Sequence, residues 1–360
     1  MILDFFLGKL TEENPPKVNA QKCIHKGGCS QCLDTCTEGA ISFKDNSIIF
    51  DADLCNECGI CKAICPTQSI SIKGLGEEHI LTSIKDKKNI IFSCSKASGV
   101  GSLKLKCLNS FHPELLASLF LYYGEKTFYF NLSKCENCLL GNKNHMLMES
   151  IEKAKEFVNL YGYKADFKII TEENELTNLP EETISRRELL LGIKKSTTNI
   201  TKQALDIVIN DKENNLSIRN TLLSALENID IETQNIHSTP FFGNFVVQDE
   251  CNGCGKCHTI CPGNAWNVEN DGEKIKIYHN IKKCYNCGIC KDTCPEKAIV
   301  EEKSFSTSEL LSQSLKKEII LSMCNTCSKK YIPIKQDTNI CPICEKKKDL
   351  REKIAAYNSN

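Results

Sequence analysis

The stretch "CYNCGICKDTCP", residues 284–295, places four cysteines within eleven residues and closes with a proline. Residues 55–66 ("CNECGICKAICP") and 251–262 ("CNGCGKCHTICP") repeat the spacing C-x2-C-x2-C-x3-C-P without deviation. A fourth segment, "CSQCLDTCTEGAI" at 29–41, aligns with them less regularly. The chain therefore contains an internal repeat whose shared feature is a set of reactive thiols.

The spacing of these cysteines suits a compact inorganic cluster. Gaps of two residues let a tight loop deliver three thiolates to one side of a cubane and aim backbone N–H groups at its sulfides. Gly59, Gly255 and Gly288 lie where such a loop needs a tight backbone path. The proline after the last cysteine suits a turn that begins a helix. Zinc is usually bound by separated C-x2-C pairs, so runs of four cysteines favour iron–sulfur clusters.

The two regions 20–73 and 246–302 resemble bacterial dicluster ferredoxins, so the chain is polyferredoxin-like. The resemblance implies [4Fe–4S] clusters, about four in all, and an exchange in which the fourth cysteine of each run serves the neighbouring cluster. In the second region the implied ligand sets are Cys251, Cys254, Cys257 and Cys294 for one cluster, and Cys284, Cys287, Cys290 and Cys261 for the other.

The first region departs from the ferredoxin pattern at its first run. Five residues, instead of two, separate Cys23 from Cys29, and Thr37 replaces the proline. Gly27 and Gly28 make a bulged path feasible, and a labile or three-iron cluster is an alternative there. His25 could replace Cys23, although a solvated loop histidine is the other interpretation. The implied ligand sets are Cys23, Cys29, Cys32 and Cys65, and Cys55, Cys58, Cys61 and Cys36.

The stretches between the runs predict β-hairpins. Residues 41–51 ("ISFKDNSIIFD") alternate around an Asp-Asn turn, and residues 266–279 ("WNVENDGEKIKIYH") alternate around Asn-Asp-Gly. Each ferredoxin region is thus expected to be a small, loop-rich unit whose core consists partly of its clusters.

The middle of the chain predicts a small α/β unit with a mainly parallel sheet, because strand-like and helix-like segments alternate. The predicted helices are residues 113–123, with Pro113 at the start, and 145–162, ending at Gly162. The predicted strands are residues 89–94, 127–132 and 166–170.

Four further cysteines mark this middle unit: Cys94, Cys107, Cys135 and Cys138. Cys94 ends one predicted strand, Cys107 follows "KLK", and Cys135 and Cys138 come just after another predicted strand. Because the carboxyl ends of parallel strands share one edge of a sheet, the four thiols are expected to converge on one metal site. Their spacing is similar to that of the thioredoxin-like [2Fe–2S] ferredoxins. The stretch 107–138 also resembles the delta-type iron–sulfur subunit of methyl-viologen- and F420-reducing hydrogenases. The alternative is a set of ordinary buried or redox-active thiols.

The end of the chain predicts a second kind of metal site. Two C-x2-C pairs separated by thirteen residues are the zinc-ribbon arrangement, with rubredoxin-type iron as the competitor. Residues 345–357 predict a solvated helix. Between 171 and 245, two helical patches (185–196 and 216–229) indicate a connector. The four predicted tail ligands are Cys324, Cys327, Cys341 and Cys344.

These segments predict a multidomain α+β protein. Two ferredoxin-like dicluster domains flank a small α/β domain, and a zinc ribbon follows. The predicted division is 1–75 (dicluster ferredoxin), 76–170 (α/β), 171–245 (helical connector), 246–303 (dicluster ferredoxin) and 304–360 (ribbon-like tail).

The composition limits the setting in which these sites work. The chain has 360 residues, 24 of them cysteine, and a net charge of -1, which gives no electrostatic reason to expect nucleic acid or an anionic membrane as partner. Its N-terminus has Asp4 and too short an apolar stretch for an export signal, and no apolar run is long enough to span a bilayer. We therefore expect a cytoplasmic protein, whose thiols bind metal rather than form disulfides.

No residue pattern here predicts catalysis. Sixteen cysteines lie in the ferredoxin runs, four in the middle unit and four in the tail, so none is left for a separate nucleophile. A Walker loop and a dinucleotide-binding fingerprint are both missing from the sequence. We expect an electron-transfer subunit that relays electrons to or within a larger redox complex such as a hydrogenase, formate dehydrogenase or other molybdoenzyme. The alternatives are an accessory factor that supplies clusters or electrons to a maturing redox enzyme, and an iron–sulfur redox sensor.

Overall fold

The computed structural model divides the chain into two compact units, Met1–Glu232 with Thr239–Phe241, and Thr233–Ser238 with Phe242–Asn360. The finer division into five domains stays a prediction. None of the helices in the described part of the chain combines the length and the apolar character that crossing a bilayer requires. The structure describes residues 15–45, 47–72, 77–84, 87, 89–97, 103–140, 144–177, 217–227, 229, 235–237, 239–306, 309–310, 312–333 and 339–358.

The first ferredoxin region consists of short elements joined by the cysteine loops. Its first and last strands pair antiparallel, and the predicted hairpin forms between the runs, with Asp45 in the left-handed region at its turn. The elements are β1 (Lys17–Val18), α1 (Gln31–Thr35), β2 (Ile41–Lys44), β3 (Ser47–Phe50), α2 (Ile60–Ile64) and β4 (Ile70–Ser71).

The short helices lie before the fourth cysteine of each run, not after it. Helix α2 ends at Cys65, and Pro66 then opens a turn that leads into β4. The expectation that the proline begins a helix was wrong, because the chain must leave the cluster loop toward the strand that pairs with β1. Gly59 precedes α2 with φ of 83°, so the expected need for a glycine there is confirmed.

The middle of the chain forms a parallel four-stranded sheet in the order β6-β5-β7-β8. The predicted strands are present, and the three-residue strand β6 is an edge strand that the sequence did not indicate. The elements are α3 (Glu77–Ile84), β5 (Asn89–Cys94), β6 (Leu103–Leu105), α4 (Pro113–Tyr122), β7 (Thr127–Asn131), α5 (Asn144–Asn159), β8 (Phe167–Ile170) and α6 (Glu173–Thr177).

Aromatic side chains fill the space between this sheet and α4. Phe92 contacts Phe111, Phe128 and Phe130 with ring centroids 4.7, 6.4 and 5.3 Å apart, and all four are almost fully buried. Such burial stabilises the unit by about 2 kcal/mol per side chain. The sheet therefore has an apolar core that does not depend on cysteine.

One helix of the expected connector packs on this unit. Helix α7 (Ile218–Glu227) contacts α4, and Arg219 forms a buried ion pair with Glu114 at 2.7 Å. The backbone N–H of Arg219 also donates to Oε1 of Gln68, which lies just after the second cysteine run, at 3.0 Å. The helical patch predicted at 216–229 is thus confirmed, and the one at 185–196 lies outside the described residues.

The second unit repeats the plan of the first ferredoxin region. The strand before its first cysteine pairs antiparallel with the strand after its last one, and the predicted hairpin of residues 266–279 forms. The elements are β9 (Asn235–His237), β10 (Asn244–Val247), α8 (Lys256–Ile260), β11 (Trp266–Asn270), β12 (Lys274–Asn280), α9 (Ile289–Asp292), β13 (Ile299–Glu302), β14 (Ser304–Ser306) and β15 (Gln313–Ile320). The last of these strands extends the hairpin to three strands.

The tail adds a small hairpin and a long exposed helix, α10 (Pro342–Asn358), which confirms the predicted solvated helix. The hairpin pairs β16 (Ser322–Met323) with β17 (Lys330–Tyr331) and contains the first C-x2-C pair. The second pair begins at Cys341 and continues into the first turn of α10, because Pro342 is suited to start a helix. The tail thus differs from the predicted ribbon, since a helix carries the second pair.

Gly263 offers a test of how tightly the two cysteine loops of the second unit are packed. A Cβ at this position would collide with the backbone oxygen of Lys283, which directly precedes Cys284. We predict that Gly263→Ala lowers the free energy of unfolding by about 3 kcal/mol, because backbone must move to relieve the clash.

The matched control is Gly272→Ala, where the added Cβ meets no atom within 4 Å but φ is +86°. That change should cost about 1 kcal/mol. Thermal unfolding measures the loss of stability in both variants, and the iron content per chain is determined for each. Equal effects would show that the approach of the loops at Gly263 is unimportant.

Candidate metal centres

In the first ferredoxin region, the first group of thiols combines cysteines of the first run with the last cysteine of the second run. Burial raises the pKa of Cys32 to about 11, and the charges of Cys65, Cys29 and Cys23 add to this rise. Cys65 Sγ also accepts a hydrogen bond from the backbone N–H of Ser69 at 3.3 Å. Cys32 and these three neighbouring thiols are the four that the ferredoxin exchange assigns to one cluster.

The irregular loop of this group places a histidine beside its first cysteine. His25 Nδ1 lies 3.8 Å from Cys23 Sγ, and the imidazole stacks on Phe43 with ring centroids 5.2 Å apart. A 3-10 turn at His25–Gly27 and left-handed Gly28 (φ 94°) accommodate the extra residues. Cys23 and His25 therefore lie next to each other, and which of the two would be the cluster ligand stays a prediction.

A second group of cysteines lines a cavity in the same region. Cys36, Cys55, Cys58 and Cys61 all contribute to its wall. Burial raises the pKa of Cys61 to about 12, with contributions from the charges of Cys58, Cys55 and also Cys32. The effect of Cys32 shows that the two groups of thiols are close to each other.

The second unit contains two corresponding groups. One lines a cavity through Cys251, Cys254, Cys257 and Cys294. In the other, burial raises the pKa of Cys284 to about 12, and the charges of Cys290, Cys261 and Cys287 add to it. Because such thiols are protonated at neutral pH, iron binding must displace protons, and raising the pH favours cluster assembly.

Hydrogen bonds from the protein reach several of these sulfurs. The backbone N–H of Ala265 donates to Cys261 Sγ at 3.2 Å, and Asn286 N–H donates to Cys284 Sγ at 3.4 Å. Burial raises the pKa of Cys290 to about 12, although a hydrogen bond from the buried Trp266 side chain acts in the opposite direction. Donors of this kind stabilise negative charge on the sulfurs and shift the reduction potential of a bound cluster.

A pair of polar residues closes one cysteine loop in each ferredoxin region, and the sequence did not indicate it. Asn56 Nδ2 donates to Glu38 Oε1 at 3.2 Å, and Asn252 Nδ2 donates to Glu296 Oε1 at 2.9 Å. Each asparagine also accepts, through Oδ1, the backbone N–H of the second cysteine of its run at 3.1 Å. The same clamp therefore joins the first loop of one run to the turn after the other run in both regions.

A second repeated feature is a left-handed residue three positions after each fourth cysteine. Gly39, Gln68, Asn264 and Lys297 all have positive φ, between 50° and 64°. Only one of the four is a glycine, so composition gave little indication of this turn. The repeat confirms that all four runs, including the irregular first one, leave the cluster loop along the same backbone path.

The middle thiols lie at the carboxyl edge of the parallel sheet, as expected. Cys94 ends β5, Cys107 follows β6, and Cys135 and Cys138 follow β7. Burial raises the pKa of Cys107 to about 11, and the charges of Cys58, Cys135 and Cys138 add to it. Lys96 Nζ, near Cys94, donates to Cys138 Sγ at 3.6 Å.

The tail cysteines form a much more compact group. Among the described residues, Cys324, Cys327, Cys341 and Cys344 are the possible metal ligands whose atoms all lie within 4.8 Å of one another. Cys327 and Cys341 Sγ are 3.8 Å apart, close to the separation of about 3.8 Å expected for thiolates around tetrahedral zinc. The Cys341 N–H donates to Cys324 Sγ at 3.2 Å, and this backbone bond lowers the pKa of Cys324 to about 6. The group fits a single ion, and the choice of zinc over iron stays a prediction.

Comparison with known proteins identifies the two ferredoxin regions. Residues 250–298 match the family model of the 4Fe–4S dicluster domain, and residues 48–71 match that of the 4Fe–4S binding domain. The chain is 37% identical over 60 residues to an uncharacterised ferredoxin of Methanocaldococcus jannaschii, and the match covers 16% of this chain and 74% of that protein.

Two longer proteins share only a segment with this chain. A polyferredoxin of Methanothermobacter marburgensis is 35% identical over 60 residues, which are 14% of this chain and 15% of that protein. The isethionate sulfite-lyase activating enzyme of Nitratidesulfovibrio vulgaris is 36% identical over 58 residues, 16% of this chain and 19% of that protein. The chain thus spans less than a fifth of these two relatives, and the similarity concerns a single short segment of each.

The grouping of the thiols predicts how ligand losses combine in the second unit. We predict that Cys257→Ala and Cys294→Ala each remove about four iron atoms per chain, since both thiols line one cavity and a cubane needs its four thiolates. The double variant should lose no more than either single variant. Iron analysis of anaerobically prepared protein measures this.

The control is the double variant Cys290→Ala/Cys294→Ala, whose thiols lie in different groups. It should lose about eight iron atoms, because two clusters are damaged. The reverse pattern, with eight lost in the first double variant and four in the second, would contradict the exchange of the fourth cysteine.

Proposed function

The chain belongs to the 4Fe–4S ferredoxins, a family of electron-transfer proteins, and we propose that it relays electrons to or within a larger redox complex. The proposed partners are the subunits of a hydrogenase, a formate dehydrogenase or another molybdoenzyme. When bound, the clusters supply sites that accept and release one electron at a time. The proposed ligands are the sixteen cysteines of the four runs, in the sets Cys23/Cys29/Cys32/Cys65, Cys36/Cys55/Cys58/Cys61, Cys251/Cys254/Cys257/Cys294 and Cys261/Cys284/Cys287/Cys290.

The observation that carries this proposal is that one short helix positions cysteines of two neighbouring groups. Helix α2 contains Cys61 of one group and ends at Cys65 of the other. The two residues are four positions apart, a rise of about 6 Å along a helix. Helix α8 relates Cys257 to Cys261 in the same way. Two groups of thiols linked by one short helix support a relay, because electron transfer weakens steeply with distance.

The surroundings of the sites also suit carriers that must accept charge without large rearrangement. Backbone N–H groups bond to the cysteine sulfurs, and an Asn–Glu clamp in each region joins two loops, so both restrain the loops against movement when charge is added. The side chains of the loops thus bind and orient, while solvent is kept from the buried thiols Cys32, Cys65, Cys284 and Cys290. We therefore propose a non-catalytic subunit in the cytoplasm, with a single zinc ion in the tail.

A second role is favoured by the irregular first loop. The extended Cys23 loop, with His25 beside the thiol, supports a more labile site, as an accessory factor that donates clusters or electrons would need. The similarity to an activating enzyme concerns a protein that acts on another enzyme, which supports the same alternative. Rapid transfer of a cluster to an apo-protein would favour this role, and retention would favour the relay.

Reductive titration followed by EPR tests the relay. We predict that anaerobic protein reduced with dithionite shows [4Fe–4S]⁺ signals with spin coupling inside each pair, since one short helix carries ligands of both sites.

The matched control is Cys58→Ala, which should remove one partner of the first pair and sharpen the signal of its neighbour. Protein with no reducible cubane would refute the proposed function. Cubanes that never couple would refute the relay while leaving the family assignment unchanged.

A further inference from the structure

The middle thiols lie outside the segments that match ferredoxin models, yet they have the features of a cofactor site. The carboxyl ends of β5, β6 and β7 bring them to one edge of the sheet, where α/β folds bind ligands. Cys107 has Cys135 and Cys138 as neighbours, and Lys96 extends from the Cys94 turn to Cys138 Sγ. All four cysteines therefore lie at the same edge of the sheet.

Four thiols at one place are the ligand number that an iron–sulfur cluster needs. In the described part of the chain, the tail cysteines form a compact group whose ligand atoms all lie within 4.8 Å of one another. The middle thiols are instead brought to one sheet edge by three different strands, at the ends of β5, β6 and β7. Both [2Fe–2S] and [4Fe–4S] clusters contain several metal atoms and are held by four cysteine thiolates.

The middle site also lies against the ferredoxin region. Lys106 Nζ pairs with Glu57 Oε2 at 3.5 Å, and these residues directly precede Cys107 and Cys58. The 3-10 turn Leu108–Ser110, which follows Cys107, packs against α2. The charge of Cys58 contributes to the raised pKa of Cys107. The loop that carries Cys107 thus packs against the loop that carries Cys58, and the Lys106–Glu57 ion pair joins the two.

We propose that Cys94, Cys107, Cys135 and Cys138 hold an iron–sulfur cluster that exchanges electrons directly with the cluster of the Cys58 group across the contact formed by the Lys106–Glu57 ion pair and the Leu108–Ser110 turn. In each exchange one cluster is oxidised by one electron and the other is reduced by one, and no bond is made or broken. The positive charge of Lys96 offsets negative charge on the middle thiolates. The inference rests on the proposed function, because it requires a cluster at the Cys58 group.

The test uses the full chain, prepared without oxygen and fully reduced with dithionite. We predict that Cys135→Ala/Cys138→Ala lowers the iron content by at least about two atoms per chain. The EPR signal of the Cys58 group should also lose the part of its broadening that the middle cluster causes, while its coupling to the Cys32 group remains. Cys107→Ala, which removes the thiol of the loop that packs against the Cys58 loop without altering the Cys135 loop, should remove the same broadening.

The matched control changes the two exposed residues between the loop thiols, Glu136→Gln/Asn137→Ala, and should alter neither iron nor EPR. Unchanged iron in the Cys135→Ala/Cys138→Ala variant would overturn the site. Lower iron with an unchanged cubane signal would overturn the contact. Absence of cubane signals from the unaltered protein would instead refute the proposed function itself, so the two failures are distinguishable.

Discussion

The bond between a cysteine thiolate and iron is the interaction on which the two ferredoxin regions depend. In the first region, the buried hydrophobic cluster comprises Cys32, Ile41, Cys65 and Ile70, so half of its members are proposed ligands. In the second, Cys284 and Cys290 belong to the buried cluster. Cores this small cannot offset the conformational entropy of folding without help, and metal binding then supplies folding free energy. We therefore expect ligation and folding to be coupled in these regions, in contrast to the phenylalanine core of the parallel sheet.

That dependence explains why the loops are so closely determined by backbone and polar contacts. A cluster tolerates little movement of its thiolates, so left-handed residues, N–H donors and one Asn–Glu clamp in each region hold the loops in place. Helix α2 contains Cys61 of one group and leads directly to Cys65 of the other, so a short helix links the two groups of thiols. The arrangement that positions the thiols is therefore also the one on which the proposed relay depends.

Much of this architecture could be predicted from the sequence, where the signal was local and strongly periodic. The cysteine runs predicted the four groups, alternation predicted both hairpins, and short apolar runs predicted the sheet strands β5, β7 and β8. The position of the helices relative to Pro66 was missed, because a proline suits the start of a turn as well as of a helix. Strand β6 is too short for a periodic signal.

Other features depend on contacts that no short stretch of sequence reveals. Glu38 and Asn56 are eighteen positions apart, and only the folded loops bring them together. The packing of the Cys107 loop against the Cys58 loop likewise joins two different parts of the chain.

Mössbauer spectroscopy of iron-enriched, anaerobically isolated protein tests the central claim most directly, because it reports the state of every iron atom at once. The account predicts a spectrum dominated by [4Fe–4S] clusters, with about sixteen iron atoms per chain in cubanes. A spectrum of isolated high-spin iron, or protein that contains zinc without cluster iron, would contradict it.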